Sequence, residues 1–129
     1  MPLPNSVEAE SALLGVLLRD FRPLPEGLNP SDFFEPKHQD IASAMLRCSN
    51  EVNEVTVSEA LRKARSPVEA WYVSQLATEA PLVERPTWEN DIRRTAQLRR
   101  LSLSLGKAVE AANDPNADVD SLLDYTAGI

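Results

Sequence analysis

The clearest hydrophobic pattern lies late in the chain. Between Trp88 and Asn113, Leu98, Leu101, Leu105, Ala108 and Ala112 recur at alternating steps of three and four. That spacing puts them on one face of a helix as a heptad seam. Glu89, Asp91, Arg93, Arg94, Arg99, Arg100 and Lys107 fall elsewhere. The pattern predicts one helix of about 26 residues, or about 39 Å at ~1.5 Å per residue, against the ~11–12 residues usual in globular domains. After a break at DPNA, Asp118 to Ile129 forms a second amphipathic segment, with Val119, Leu122 and Leu123 on one face. Two helices so joined predict a helical hairpin. Its second arm, about 18 Å long, is too short to cover the first.

Shorter periodic segments precede the long one. Ala9, Leu13, Val16 and Leu17 form one face of a first helix over Ser6 to Arg19, with Ala12 and Leu14 flanking it. Asn5 is the expected N-cap, paired with Glu8. Gly15 within it costs about 1 kcal/mol relative to Ala; it either lets a second helix approach closely or is simply tolerated. NPSDFF predicts a short helix capped by Asn29, with Phe33 and Phe34 as anchors. A third helix follows Pro36 to about Cys48, with Ile41, Met45, Leu46 and His38 on its apolar side. Thr56 and Glu59 read as a capping box for a fourth, with Val55 stapled onto Ala60 and with Val57, Ala60, Leu61 and Ala64 facing inward. Ser66, Pro67 and Glu69 repeat the device for a fifth, whose apolar side carries Val68, Trp71, Tyr72, Leu76 and Val73. Pro81 stops it, and Thr87 caps the long helix. The sum is an all-α chain: a compact helical head over 1–84, then a long-helix hairpin arm over 85–129.

Composition narrows the picture. The chain has 129 residues, one domain's worth, and 43% hydrophobic content is enough for a core. Only four Gly stand against ten Pro, with no Asn-Gly hairpin signal, which disfavours β structure. Net charge of −7 disfavours tight nucleic-acid binding by this chain. Arg85, Arg93, Arg94, Arg99 and Arg100 could form a local phosphate patch, although a solvated helix face is the simpler reading. One cysteine, Cys48, excludes an internal disulfide and suits a small core residue; this fits the cytoplasm. The first residues lack a signal peptide's basic and apolar regions, and no apolar run is long enough for a membrane span. No phosphate loop, dinucleotide-binding glycine turn, CxxC or HExxH motif is present, so no catalytic, cofactor or metal residue is assigned. His38 has no metal-spaced companions and reads as a packed or capping histidine. The Trp71–Tyr72 pair reads as core, with a binding platform as its alternative.

The order of these signals resembles the N-terminal domain of DnaB-type replicative DNA helicases. PNSVEAESALLGVLL, from Pro4 to Leu18, is similar to that family's opening helix and its A-E-x-x-L-L-G core. DFFEPKHQDI, Asp32 to Ile41, resembles the family's aspartate, paired aromatics, histidine and isoleucine. VTVSEAL, Val55 to Leu61, resembles the capped helix that follows; YVSQLA, Tyr72 to Ala77, and LRRL, Leu98 to Leu101, match later landmarks. The likeness runs from Pro4 to Ala127. The chain departs from it at Asn50 to Glu54, where the family often has Gly and Asp, at Trp88 to Ile92, where a Tyr-Ala pair is usual, and in a shortened loop before the fifth helix.

The resemblance implies a helical head plus a hairpin that pairs between subunits, three dimers forming a collar on a hexameric ring. It implies docking of DnaG-type primase and engagement by a helicase loader, with ATP and Mg confined to a C-terminal RecA-like motor that these residues do not contain. No primase-contact residue maps onto a matched motif. The expected subunit interface is Leu98, Leu101, Leu105, Ala108 and Ala112 with Leu122 and Leu123. The alternatives are a stand-alone or primase-type helicase-interacting regulator on a related helical fold, a nucleic-acid binder acting through the Arg93–Arg100 face, and a small enzyme using His38.

Overall fold

A computed structural model describes residues 5–48 and 50–113. Five α-helices and one 3-10 turn make up its regular structure: α1 Val7–Arg19, the 3-10 turn Pro30–Asp32, α2 Pro36–Arg47, α3 Glu54–Lys63, α4 Ala70–Glu79 and α5 Thr87–Ala112. The described residues contain no strand. The second arm expected from Asp118 onward lies outside them.

The first helix is the hub. Leu13, Leu14, Gly15, Val16, Leu17 and Leu18 are all buried, a run too wide for a single amphipathic stripe. A helix apolar on so many sides belongs in a core, and α1 packs against α4, α5 and α2. Gly15 makes the closest of these contacts possible. A Cβ built on it would lie 2.2 Å from the Leu76 carbonyl oxygen of α4 and 3.0 Å from the Ala80 Cβ. Of its two sequence readings, close helix approach is therefore the correct one. The helix starts at Val7 with Ser6 at the cap position and no side-chain cap bond, so the Asn5–Glu8 box does not form.

Several helix ends differ from expectation for identifiable reasons. In α3 the cap is Asn53, whose Oδ1 accepts from the backbone N–H groups of Val55 and Thr56 at 2.9 Å. Thr56 is the third helical residue, and its hydroxyl oxygen accepts from the Asn53 N–H at 3.1 Å. The reciprocal box is real but starts three residues earlier, because an asparagine in extended conformation caps at least as well as threonine. This turns Val55 outward, 74% exposed, with no staple, and leaves Ala64 exposed at the C-cap. Ser66 does not start α4: its hydroxyl accepts from the Val68 N–H and donates to the Asp40 carboxylate, making a turn that ends at Glu69. The later start rotates Trp71 into solvent, 58% exposed, while Val73, Leu76 and Ala77 go in. In α2 the buried line is His38, Ile41, Ala42, Met45, and Leu46, one step round, is exposed. NPSDFF closes only one 3-10 turn. The Asp32 carboxylate accepts from the Asn29 N–H at 2.9 Å, and Phe33 then turns extended to enter the core.

The core continues past residue 84. Trp88 and Ile92 belong to the same buried cluster as Leu14, Phe33, Ile41, Met45 and Leu61. The first half of α5 thus roofs the head, and only its second half extends from it.

Candidate assembly surface

Along α5, Trp88, Ile92, Thr95, Ala96 and Arg99 are buried against the head. Leu98, Leu101, Leu105, Ala108 and Ala112 are not. At ~100° per residue, the centre of this stripe lies about 150° around the helix from the head-facing line. Leu98 is 43% exposed and Leu105 47%; Leu101 and Ala108 are half-buried and Ala112 exposed. The stripe fades toward the N-terminus, where Asp91 and Arg94 occupy its path. Leu122 and Leu123, expected to join it, lie outside the described residues.

Besides Ile92 and Ala96 on the buried side, the apolar residues Val109 and Leu103 escaped the sequence reading. Val109, 60% exposed, is four residues after Leu105 and widens the stripe, a spacing visible in the sequence. Leu103 belongs to the other line, Trp88–Ile92–Ala96–Arg99–Leu103, which steps by four and three and continues the head-facing side beyond the head's edge. An arginine inside that line disguised it.

That arginine marks where the helix leaves the head. Arg99 is buried, donates to the Asp32 carbonyl oxygen at 2.6 Å and lies over the Phe34 ring at 5.4 Å. Burial holds its pKa below the ordinary arginine value, against the opposing pull of the Glu10 charge. Arg100 donates to the Asp32 carboxylate. Arg93 pairs with Glu89 at 2.8 Å and Arg94 with Asp91 at 4.0 Å. All four arginines have partners within the chain, and Arg99 is buried rather than on a solvated face. The row therefore presents little unpaired positive charge to a phosphate backbone.

Behind this surface lies a buried polar chain. Glu10, fully buried, accepts from the Phe34 N–H at 2.7 Å, the Glu35 N–H at 3.3 Å and His38 Nδ1 at 2.9 Å. A carboxylate only accepts, so His38 Nδ1 carries a proton. His38 Nε2 lies 2.8 Å from the Tyr72 hydroxyl. Tyr72 has its pKa raised, first by burial and then by the Glu35 and Glu10 charges. His38 is fully enclosed with both nitrogens engaged, as a packed histidine should be, and its role is to join α1, α2 and α4. Sequence reasoning missed Glu10. It falls three and four residues before Leu13 and Leu14, on the buried face, although its place in the first turn resembles ordinary helix-end charge. The described residues hold no group of three or more His, Cys, Asp or Glu side chains suited to a metal. None of their helices is long and apolar enough to cross a membrane.

An all-α head carrying a long helix, with an apolar stripe turned away from its own core, defines the class of architecture: a helical head with an arm. The family model for the DnaB-like helicase N terminal domain matches residues 2–90, and the chain belongs to that family. It is similar to the replicative DNA helicase DnaB of Rhodothermus marinus, 32% identical over 94% of this chain and 14% of that protein. The replicative DNA helicase DnaB of Geobacillus stearothermophilus is 31% identical over 94% of this chain and 29% of its own length. The chain thus spans under a third of either relative. The crystal structure of the N-terminal domain of DnaB helicase from Mycobacterium tuberculosis superposes with a TM-score of 0.81 at 27% identity, covering 98% of this chain and 96% of that one.

Proposed function

We propose that this chain is a non-catalytic N-terminal domain of a replicative DNA helicase, pairing subunits into a hexamer collar and docking a DnaG-type primase during DNA replication. In this reading it works in the cytoplasm as a dimer, or as a trimer of dimers in the complete helicase. A helicase loader engages the same assembly. The chain itself holds no cofactor, and ATP and Mg act in a separate motor domain. The observation that carries the reading is the stripe from Leu98 to Ala112, apolar, partly exposed and facing away from the head. A leucine seam on a helix otherwise rich in charge gains from a helical partner.

Leu101→Asp and Leu105→Asp test it. Neither side chain belongs to the buried core, so both variants should keep the wild-type circular dichroism spectrum. Each places a charge in an apolar seam and should raise the dimer dissociation constant at least tenfold (~1.4 kcal/mol), read by light scattering or sedimentation. Wild type and variants equally monomeric at high concentration would refute the pairing role. A mass unchanged by adding the cognate primase's helicase-binding domain would refute the docking role.

A further inference from the structure

Three of the large apolar side chains exposed outside α5 stand together. Phe21 is 71% exposed, Leu82 93% and Val83 77%. Arg19 donates to the Pro81 carbonyl oxygen at 2.6 Å, and Arg22 grips the Glu84 carboxylate at 2.7 and 2.8 Å. Both bridges join residues 62 positions apart. The turn 19–22 at the end of α1 therefore lies alongside 81–84, in register, and Phe21 falls beside Leu82 and Val83. Phe21 also stands where the backbone disfavours it. Its φ is 56°, and the Arg22 N–H reaches back to the Leu17 carbonyl at 2.9 Å. That bond makes Phe21 the left-handed residue closing α1, a position suited to glycine. A bulky aromatic there is strained, and its exposed ring adds nothing to the core. Strain held without a packing return points to a surface used for contact.

We propose that Phe21, Leu82 and Val83 form a second self-contact, a knob through which the heads of two copies of this chain meet. Charge favours that occupant. The charged residues of 19–22 and 81–84 are Arg19, Asp20, Arg22 and Glu84, and they pair among themselves, Arg19 with Asp20 and Arg22 with Glu84. The knob therefore shows a partner no net sign. Two copies of net charge −7 repel over most of their surfaces, and a neutral apolar knob lets them meet without like charges facing. Symmetry favours the same occupant, and this step rests on the pairing and collar reading given above. Pairing along α5 is isologous and stops at two. A trimer of dimers requires a different self-contact on every chain. The stripe begins at Leu98, about 16 Å along α5 from its start at Thr87, while the knob precedes Thr87, so both can be occupied at once. Three side chains do not fill the ~800 Å² per partner of a standard stable interface. The contact is accordingly weak between free chains and stronger between dimers already joined along α5.

The test is sedimentation equilibrium of the full chain up to about 1 mM, the range of weak contacts. Wild type should exceed the mass of a dimer. Leu105→Asp removes the α5 contact and leaves the knob, so this variant should still form a reversible dimer. Adding Phe21→Gly, or Leu82→Ser with Val83→Ser, should weaken that dimer at least tenfold. Phe21→Gly carries its own control. It relieves the strained φ and should raise the urea midpoint by roughly 0.3–0.5 M, so association falls while stability rises, which a merely structural role would not produce. If Leu105→Asp sediments like wild type while Phe21→Gly loses mass, the α5 pairing fails and the knob stands. Three results overturn the proposal: a Leu105→Asp chain that stays monomeric at about 1 mM, a mass that ignores the knob substitutions, or knob substitutions that abolish binding to phosphatidylcholine vesicles and leave self-association intact.

Discussion

Replacing Glu10 by glutamine removes one charge and one acceptor from a site that water does not reach. The carboxylate takes three donors: Phe34 N–H on Oε2, and Glu35 N–H and His38 Nδ1 on Oε1. A glutamine has one acceptor oxygen. Set at the Oε1 position, it would turn its NH2 against the Phe34 N–H at 2.7 Å. The oxygen therefore takes the Oε2 position and keeps Phe34. The NH2 then faces His38, which can accept only by moving its proton to Nε2, and Glu35 N–H loses its partner. The orphaned amide costs about 1–3 kcal/mol, and loss of charge assistance to the other two bonds adds about 1 kcal/mol. A net loss of about 2–4 kcal/mol follows, a large fraction of the ~5–15 kcal/mol typical of a domain. Glu10→Leu leaves all three donors unpaired and should come close to unfolding the protein. Urea titrations followed by far-UV circular dichroism and by Trp88 emission measure both losses. Nitrogen shifts of His38 should report the tautomer exchange in the glutamine variant. A glutamine cost under ~1 kcal/mol, or leucine no worse than glutamine, would refute the three-donor reading.

Gly15→Ala gains about 1 kcal/mol of helix propensity, but its methyl would meet the Leu76 carbonyl at 2.2 Å. The α1–α4 pair must separate, and a net destabilisation of about 1–3 kcal/mol in urea is expected; a neutral or stabilised variant would contradict it. Arg65 has φ 57° just past α3, where the Ser66 N–H reaches back to the Leu61 carbonyl at 3.0 Å. Arg65→Gly relieves that strain and should raise the urea midpoint by the equivalent of about 0.5–1 kcal/mol. The Arg22 guanidinium grips Glu84 through two bonds of 2.7 and 2.8 Å and holds its carboxyl below the usual glutamate range. Since the folded pKa is the lower one, this contribution is complete above the ordinary value near ~4.3 and disappears as pH falls through the folded value. Both side chains are over a third exposed, so screening keeps it under ~1 kcal/mol. Glu84→Gln should therefore be slightly less stable than wild type at neutral pH, and the gap should close at acid pH and in high salt.

Where sequence was legible, periodicity and packing agreed. The long helix begins within one residue of its expected start because nothing between Thr87 and Ala112 interrupts a 3.6-residue repeat. His38 was readable because a ring on an apolar face is anomalous, whereas Gly15 stood out as a flexible residue in a helix but only the Leu76 carbonyl beside it decides between its two readings. The caps of α3 and α4 each fell three residues from expectation, at Asn53 rather than Thr56 and at Glu69 rather than Ser66. Asn53–Thr56 and Thr56–Glu59 are both plausible boxes, and local chemistry alone does not choose between them. The slip matters because one residue turns a helix by ~100°. It left Val55, expected as a staple onto Ala60, and Trp71, expected in the core, both exposed.

The same geometry separates the two tasks of α5. A helix that both roofs a core and presents a stripe to a partner must carry two apolar lines, and composition along the chain does not show which line faces inward. The leucines suggested that the seam was the helix's main apolar feature. The core instead uses the quieter line of Trp88, Ile92 and Ala96, closed by Arg99 on the Asp32 carbonyl. Because that line ends at the Asp32 contact and the leucine stripe begins at Leu98, about 150° away, the head can stay folded while the stripe is free. Charge placed at Leu105 is then expected to leave the head's stability unchanged, while charge placed at Ile92 should unfold it.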